Sequence, residues 1–294
     1  MVLTFLEAAL IHFSKYHGLG NDYLVIEPEQ FFGLPSAEQV RKICDRHYGV
    51  GSDGILLGPS TSQEADFLLR IYNPDGSEAE KSGNGLRIFA RYLWDHGMLS
   101  KSTNNETSTI FSILTSGSKV QAQVLKGGQV VLIWMGKASF NSRDIPMSGP
   151  ERQVVGEWMK IGDRDLQYCA VSLGNPHCVV ICLEISEKFA RSLGPLIEKD
   201  ARFLKRTNVQ FMRAISKDRI QIEIWERGAG YTLASGSSSC AAAAAAFKLG
   251  LCQSELTVIN PGGCLEVAIE RDWSITLTGP VEKVFEGEID ASIN

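Results

Sequence analysis

Residues Trp225–Ala246 read W-E-R-G-A-G-Y-T-L-A-S-G-S-S-S-C-A-A-A-A-A-A. Ahead of them Ile220, Ile222 and Ile224 alternate with polar residues, the pattern of a half-buried strand. Gly228, Gly230 and Gly236 then break the run, and Ala241–Ala246 has the highest helix propensity available to a sequence. The stretch therefore predicts strand, glycine-rich turn and helix, with Ser235-Gly236-Ser237-Ser238 at the helix mouth. The first N–H groups of a helix lack internal partners and sit at the positive end of the macrodipole, so such a mouth suits an anion.

A second stretch repeats the design. Ile71–Ser77 (I-Y-N-P-D-G-S) closes a strand with a turn, and Ser82-Gly83-Asn84-Gly85 opens a helix through Leu93 with helical apolar spacing. The two Ser-Gly steps stand about half a chain apart, which suggests two similar halves serving one ligand. Serine before a helix is more often a plain N-cap, and the local pattern alone favours that simpler role.

The composition bounds the rest. A chain of 294 residues holds one large or two ordinary domains, and 44% hydrophobic with 21% charged residues marks a full globular core. Net charge is −5 with no basic run, which argues against nucleic acid as a partner. Seven cysteines without CxxC or Cys/His ligand spacing predict reduced thiols, a cytoplasmic location and no structural metal. Met1–Ile11 is apolar but carries Glu7 and lacks a basic leader, so an extra strand or extension is expected there; no later stretch is long enough to span a membrane.

In chain order, two strands are expected within Phe13–Ile26 around a Gly18/Gly20/Asn21/Asp22 turn, where Asn21 could simply brace the turn. A helix follows over Ser36–His47. Gly49–Gly54 leads as a turn into a strand at Ile55–Leu57, and Phe67–Tyr72 is another strand. Ser100–Ser108 is loop-like with Asn104-Asn105 at its tip, and three strands lie between Ile110 and Met135. Pro146, Gly149 and Pro150 make Ile145–Gly156 the best linker candidate. Later come strands at Gln167–Leu173 and Cys178–Leu183, a helix over Phe189–Ile197, a strand from Asn208, and strands at Leu256–Ile259, Cys264–Ile269 and Trp273–Leu277. Many strands with one prominent helix per half indicate an α+β fold rather than βαβ units.

With these residues assembled, the chain resembles diaminopimelate epimerase from about Phe13 onward. The resemblance rests on His17-Gly18-x-Gly20-Asn21-Asp22, Asn73-x-Asp75-Gly76-Ser77, Gly83-Asn84-Gly85, Gly174-Asn175-Pro176-His177, Thr207-Asn208-Val209 and Glu226-Arg227-Gly228. It implies two pseudo-symmetric halves, each a barrel-like, mostly antiparallel sheet around a central helix, with the active site in the cleft between them. On that basis we expect domains at 1–143 and 144–279, with 280–294 returning to the first. The implied activity is cofactor-independent interconversion of LL- and meso-2,6-diaminopimelate, a step toward lysine and peptidoglycan precursors. It needs no pyridoxal phosphate or metal, and its partner is a small amino acid; a homodimer is one oligomeric state the sequence leaves open.

The resemblance further implies that two cysteines, one at each helix mouth, move the α-proton. Ser82 and Ser235 stand at those positions. A thiol of pKa about 8.5, lowered to roughly 3.5–7.5 at a helix mouth, gives way to an alcohol closer to water at about 15.7. That difference of roughly seven units is worth about 10 kcal/mol in forming the base. The helix dipole, worth ~0.3–2 kcal/mol, does not close it. The matching motifs place Asn21, Asn73, Asn175, Asn208, Glu226 and Arg227 on the substrate, with Arg227 suited to a bidentate carboxylate contact. The N–H groups of Gly83, Asn84, Gly236 and Ser237 would hold the reacting carboxylate. His177 and Glu226 match positions that assist proton movement. Departures at Tyr231, where a carboxylate is usual, and at Gly54, where some members carry glutamine, leave room for a different amino acid. The alternatives are a non-catalytic amino-acid-binding homologue and a racemase of another substrate.

Overall fold

A computed structural model describes residues 10–31, 33–102 and 106–290. The expectations for Met1–Ala9 and for the Asn104-Asn105 tip fall outside these residues. Contacts divide the chain into two units, one running to Val131 and resuming at Val281, the other Leu132–Pro280.

The first unit begins with β1 (Leu10–Gly18) and β2 (Asn21–Ile26), then α1 (Ala37–Cys44), β3 (Ile55–Ser60), β4 (Phe67–Tyr72) and β5 (Glu78–Ala79). It continues with α2 (Gly83–Asp95), β6 (Phe111–Leu114), β7 (Lys119–Leu125) and the start of β8 (Val130–Lys137). In the second unit come β9 (Glu157–Ile161), β10 (Arg164–Ser172), β11 (Pro176–Ile181), α3 (Glu187–Glu198), β12 (Asn208–Ser216) and β13 (Arg219–Glu226). They are followed by β14 (Gly230–Thr232), α4 (Gly236–Lys248), β15 (Glu255–Asn260), β16 (Gly263–Ile269) and β17 (Ser274–Pro280), before β18 (Glu282–Asp290) rejoins the first unit.

In the first unit β1 is flanked antiparallel by β2 and β18, β2 runs parallel to β3, and β4 runs parallel to β6 across α2. The β1–β2 turn is Leu19-Gly20, both at positive φ (58° and 86°), the backbone a two-residue hairpin needs and glycine supplies without strain. Helix α1 starts on a full capping box between Ser36 and Gln39 and buries Val40, Ile43 and Cys44 against Leu24, Ile26, Ile55 and Leu57.

The second unit has the same alternation of pairings. Strand β11 runs parallel to β12 and β13 to β15, with antiparallel neighbours elsewhere. Helix α4 packs against β10, β11, β12, β13, β15, β16 and β17, and Ala241–Ala246 are fully buried. A helix enclosed on all sides has no polar face, and methyl side chains let the strands close on it. Strands β10–β12 bury both faces, because Tyr168, Cys178, Val180 and Phe211 pack outward against Ala190, Leu193 and Ile197 of α3. This is why residues 168–171 and 178–181 read as apolar runs rather than as alternating strands.

Two features differ from the expectation. The Ile145–Gly156 stretch lies inside the second unit, with Ile145, Met147 and Val154 in its core, and the division between units falls within β8 instead. Strands β9 and β18 were not foreseen. The latter is a largely exposed strand held by its backbone ladder to β1, so its sequence carries little apolar alternation.

Candidate active site

Each unit buries one helix whose first turn follows a Ser-Gly step. Ser82 caps α2 with extended backbone (φ −136°, ψ 117°), and its Oγ accepts from Gly85 N–H at 3.0 Å. The Tyr23 hydroxyl lies 3.2 Å from the same oxygen. Asn84 Nδ2 donates to Asn21 Oδ1 at 2.9 Å, and Asn21 Nδ2 donates to Asp53 Oδ2 at 2.8 Å. Beneath this turn the fully buried Arg87 guanidinium donates to Asn84 Oδ1 (2.9 Å) and Gly83 O (3.3 Å), adding positive charge to a mouth already positive by its dipole.

The Asn21 turn is braced from outside. Asp22 meets Lys15 at 2.8 Å and Arg46 at 2.7 Å, and Arg46 also reaches Asp53 at 2.8 Å. Burial works against charge on Asp22, but hydrogen bonds from Arg46 and Lys15 outweigh it and hold the carboxyl below its usual range. Asn73 is engaged in its own turn, donating from Nδ2 to Ser77 Oγ at 3.0 Å.

In the second unit Ser235 precedes α4 with similar backbone (φ −146°, ψ 123°) and makes no side-chain cap. Ser235 and Gly236 are buried, and Ser237 is partly exposed. A buried polar chain runs up to this turn. Gln210 Nε2 donates to Ser238 Oγ (2.9 Å) and to His177 Nδ1 (3.1 Å), and His177 Nε2 meets Asn175 Oδ1 at 3.0 Å. Full burial, with Arg227 nearby, pushes the His177 pKa down to about 3, so its ring is neutral at physiological pH. A neutral ring that accepts at Nδ1 must donate from Nε2 to Asn175.

Asn208 spends its amide on backbone, donating to Pro176 O and accepting from Arg227 N–H, both at 3.0 Å. That pins the Glu226-Arg227-Gly228 turn to the start of β11 and leaves the Arg227 side chain exposed, with Nη1 on Lys205 O at 3.2 Å. Glu226, the last residue of β13, is partly buried.

Sequence reasoning missed three residues here: Tyr23, Gln210 and Glu198. Gln210 had a visible signal, as the one amide between apolar Val209 and Phe211 in a buried strand. Buried Glu198 had none. Its carboxylate accepts from Trp225 Nε1 (2.8 Å), Gly228 N–H (3.0 Å) and Arg206 (3.2 Å), which fixes the 226–228 turn from below. Glu198→Ala would take the acceptor from Trp225 Nε1 and Gly228 N–H and leave Arg206 without its buried carboxylate. We expect a loss of about 3 kcal/mol of stability by urea denaturation. A change below about 1 kcal/mol would mean that water takes over the carboxylate's place.

None of the buried cysteines near the second-unit core offers a readily ionised thiol. Cys240 lies fully buried within α4. Burial pushes Cys169 and Cys182 up to about 11 and holds Cys178 well above the ordinary thiol range.

This sheet-dominated α+β fold, with its few helices, is the fold of amino-acid epimerases and PhzF-type proteins. A hydroxyproline epimerase from Agrobacterium vitis superposes with a TM-score of 0.70 at 15% identity, covering 98% of this chain and 95% of that one. A PhzF-family phenazine biosynthesis protein from Bacillus anthracis gives 0.66 at 16%, covering 95% and 99%. The chain itself belongs to the diaminopimelate epimerase family, a family of isomerases, whose sequence pattern matches residues 13–141 and 169–284. It is 51% identical over 281 residues to diaminopimelate epimerase 2 of a Nostoc species (96% of each chain). It is also 39% identical over 288 residues to the diaminopimelate epimerase of Pelotomaculum thermopropionicum (95% and 98%).

Proposed function

We propose that this chain interconverts LL- and meso-2,6-diaminopimelate by removing and returning the α-proton without a cofactor. The observation that carries the reading is the pair of buried helices, each opening behind a Ser-Gly step, in a chain of this family. Ser82 and Ser235 occupy the places of the two proton-transferring groups, one for each face of the α-carbon. The N–H groups of Gly83, Asn84, Gly236 and Ser237 hold the reacting carboxylate and the charge that develops beside it. Asn73, Asn175, Glu226 and Arg227 take the distal amino acid end, and Asn21 lines the same site. Asn208 contributes by holding the Arg227 backbone, and His177 by orienting Asn175.

The two units are pseudo-symmetric halves in this reading, each a barrel-like sheet about its helix. Support comes from the parallel pair that skips across α2 (β4, β6) and the one that skips across α4 (β13, β15). A non-catalytic amino-acid-binding protein is the second reading, favoured by the two hydroxyls where proton transfer asks for a weaker base to be made.

Incubation with LL-diaminopimelate in deuterated water separates the two. The epimerase reading expects deuterium at the α-carbon together with meso product. Calorimetric binding without any exchange establishes the second reading, and the absence of binding by any diamino acid overturns both.

A further inference from the structure

We propose that Tyr23 is the terminal proton carrier at the α2 mouth, exchanging its proton with substrate through Ser82 Oγ. This rests on the epimerase reading above and assigns a role that neither the sequence motifs nor the family match contains.

The geometry is a two-oxygen relay. Tyr23 is 7% exposed, and its hydroxyl stands 3.2 Å from Ser82 Oγ. One lone pair of Ser82 Oγ is taken by Gly85 N–H at 3.0 Å, so the serine retains one hydrogen to give and one lone pair to receive with. These are what a group passing a proton between two neighbours requires. The ring is fixed in place. Strand β2 is held on both sides, with Tyr23 opposite Tyr16 of β1 and Leu24 opposite Ile55 of β3. The ring also lies over Gly54, where an added Cβ would fall 2.7 Å from Tyr23 Cε1 and 2.3 Å from the Tyr72 carbonyl oxygen. Only a glycine leaves room for the ring at this point.

The chemistry favours the phenol as the end of the relay. Its ordinary pKa is about 10, against roughly 15.7 for a water-like alcohol. In the same surroundings a phenolate is therefore easier to form than a serine alkoxide by about five orders of magnitude. Helix α2 also aims its dipole at this mouth, which favours negative charge there. In the forward step the α-C–H bond breaks and its hydrogen bonds to Ser82 Oγ. The former Ser82 hydroxyl hydrogen passes to the Tyr23 phenolate oxygen, and the C–H electron pair stays on the α-carbon beside the carboxylate. Return of a proton follows the reverse path, from Tyr23 O–H through Ser82 to the carbanion. Tyr23 does not touch substrate; it is a positioning and proton-storing residue acting through Ser82.

The test is Tyr23→Phe, which keeps the ring over Gly54 and removes one oxygen. Wild-type chain is first assayed for deuterium exchange into LL-diaminopimelate from pH 6 to pH 10.5. We expect exchange that rises with pH, and in Tyr23→Phe a kcat about 100-fold lower with KM within about twofold and that rise gone. In the Ser82→Cys background, where the thiol ionises by itself, Tyr23→Phe should change kcat by less than about threefold. Equal kcat and equal pH profile in wild type and Tyr23→Phe overturn the relay alone and leave the epimerase reading standing. So does an equal loss in both backgrounds, which marks the tyrosine as structural. Wild-type chain that binds substrate without exchange overturns both.

Discussion

The double substitution Ser82→Cys, Ser235→Cys is expected to raise the rate of α-proton exchange at pH 7.5 by about 1,000-fold with little change in substrate affinity. The two serines share nearly the same extended cap backbone, φ −136°, ψ 117° at Ser82 and φ −146°, ψ 123° at Ser235, so a sulfur at either would start from the oxygen's direction. A thiol there falls to a pKa of roughly 3.5–7.5 and is largely ionised at the assay pH, whereas the alcohol is not. The full difference between thiol and alcohol acidity, about seven units, would allow a larger gain. A tyrosine relay at one mouth already recovers part of it, which sets the expected figure lower. Affinity is read by calorimetry, because the residues assigned to the distal grip are untouched. Each single variant should exchange deuterium from one stereoisomer faster than from the other, since each thiol works on one face. An unchanged exchange rate in the double variant, with binding intact, would show that something other than the acidity of these two side chains limits the chemistry.

The strands and helices around the site were legible because each leaves a local signature. Strand β4 is read at its full extent, Phe67–Tyr72, and α2 and α4 follow from a Ser-Gly step and the apolar or alanine run behind it. Strand β18 was not legible, because five exposed residues in succession give no alternation and its place depends on β1, far away in the chain. The Pro/Gly-rich Ile145–Gly156 stretch misled for a related reason. Local turn chemistry announces breaks in regular structure, yet Ile145, Met147 and Val154 show that a broken chain can still fill a core. The motifs at the site named the residues at the two mouths but not the groups that orient them. Tyr23, Gln210 and Glu198 pair with Ser82, His177 and the Gly228 turn, and those pairings join positions 30 to 59 residues apart. Periodicity reports burial; it does not report partners.

The His177 chain yields the second large effect, a pH dependence of stability. The imidazole is fully buried and titrates at about 3 in the folded chain, first because burial disfavours its cation and then because Arg227 is nearby. In the unfolded chain it titrates near the ordinary value of about 6.5. Between those two values the unfolded state holds the proton and the folded state does not. The contribution is therefore complete above about pH 6.5 and is lost as pH falls toward 3, on the order of 1.4 kcal/mol per pH unit. Other groups also titrate in this range, Asp22 among them, so the measurement is a difference. Denaturant unfolding of wild type and His177→Gln at pH 7 and pH 4.5 should show wild type losing about 2–3 kcal/mol more. Parallel losses would mean that the histidine is protonated, or exposed, in the folded chain. The same neutrality bears on the site: with Nδ1 accepting from Gln210, the ring gives its one hydrogen to Asn175 Oδ1, which turns the Asn175 amide nitrogen outward as a donor. A protonated imidazole would donate from both nitrogens, and Gln210 would have to turn its unpaired Oε1 toward Nδ1 to accept. Substrate affinity of the folded chain, on the reading that Asn175 grips a carboxylate, should therefore hold until the pH nears 3, where the folded ring takes up its proton.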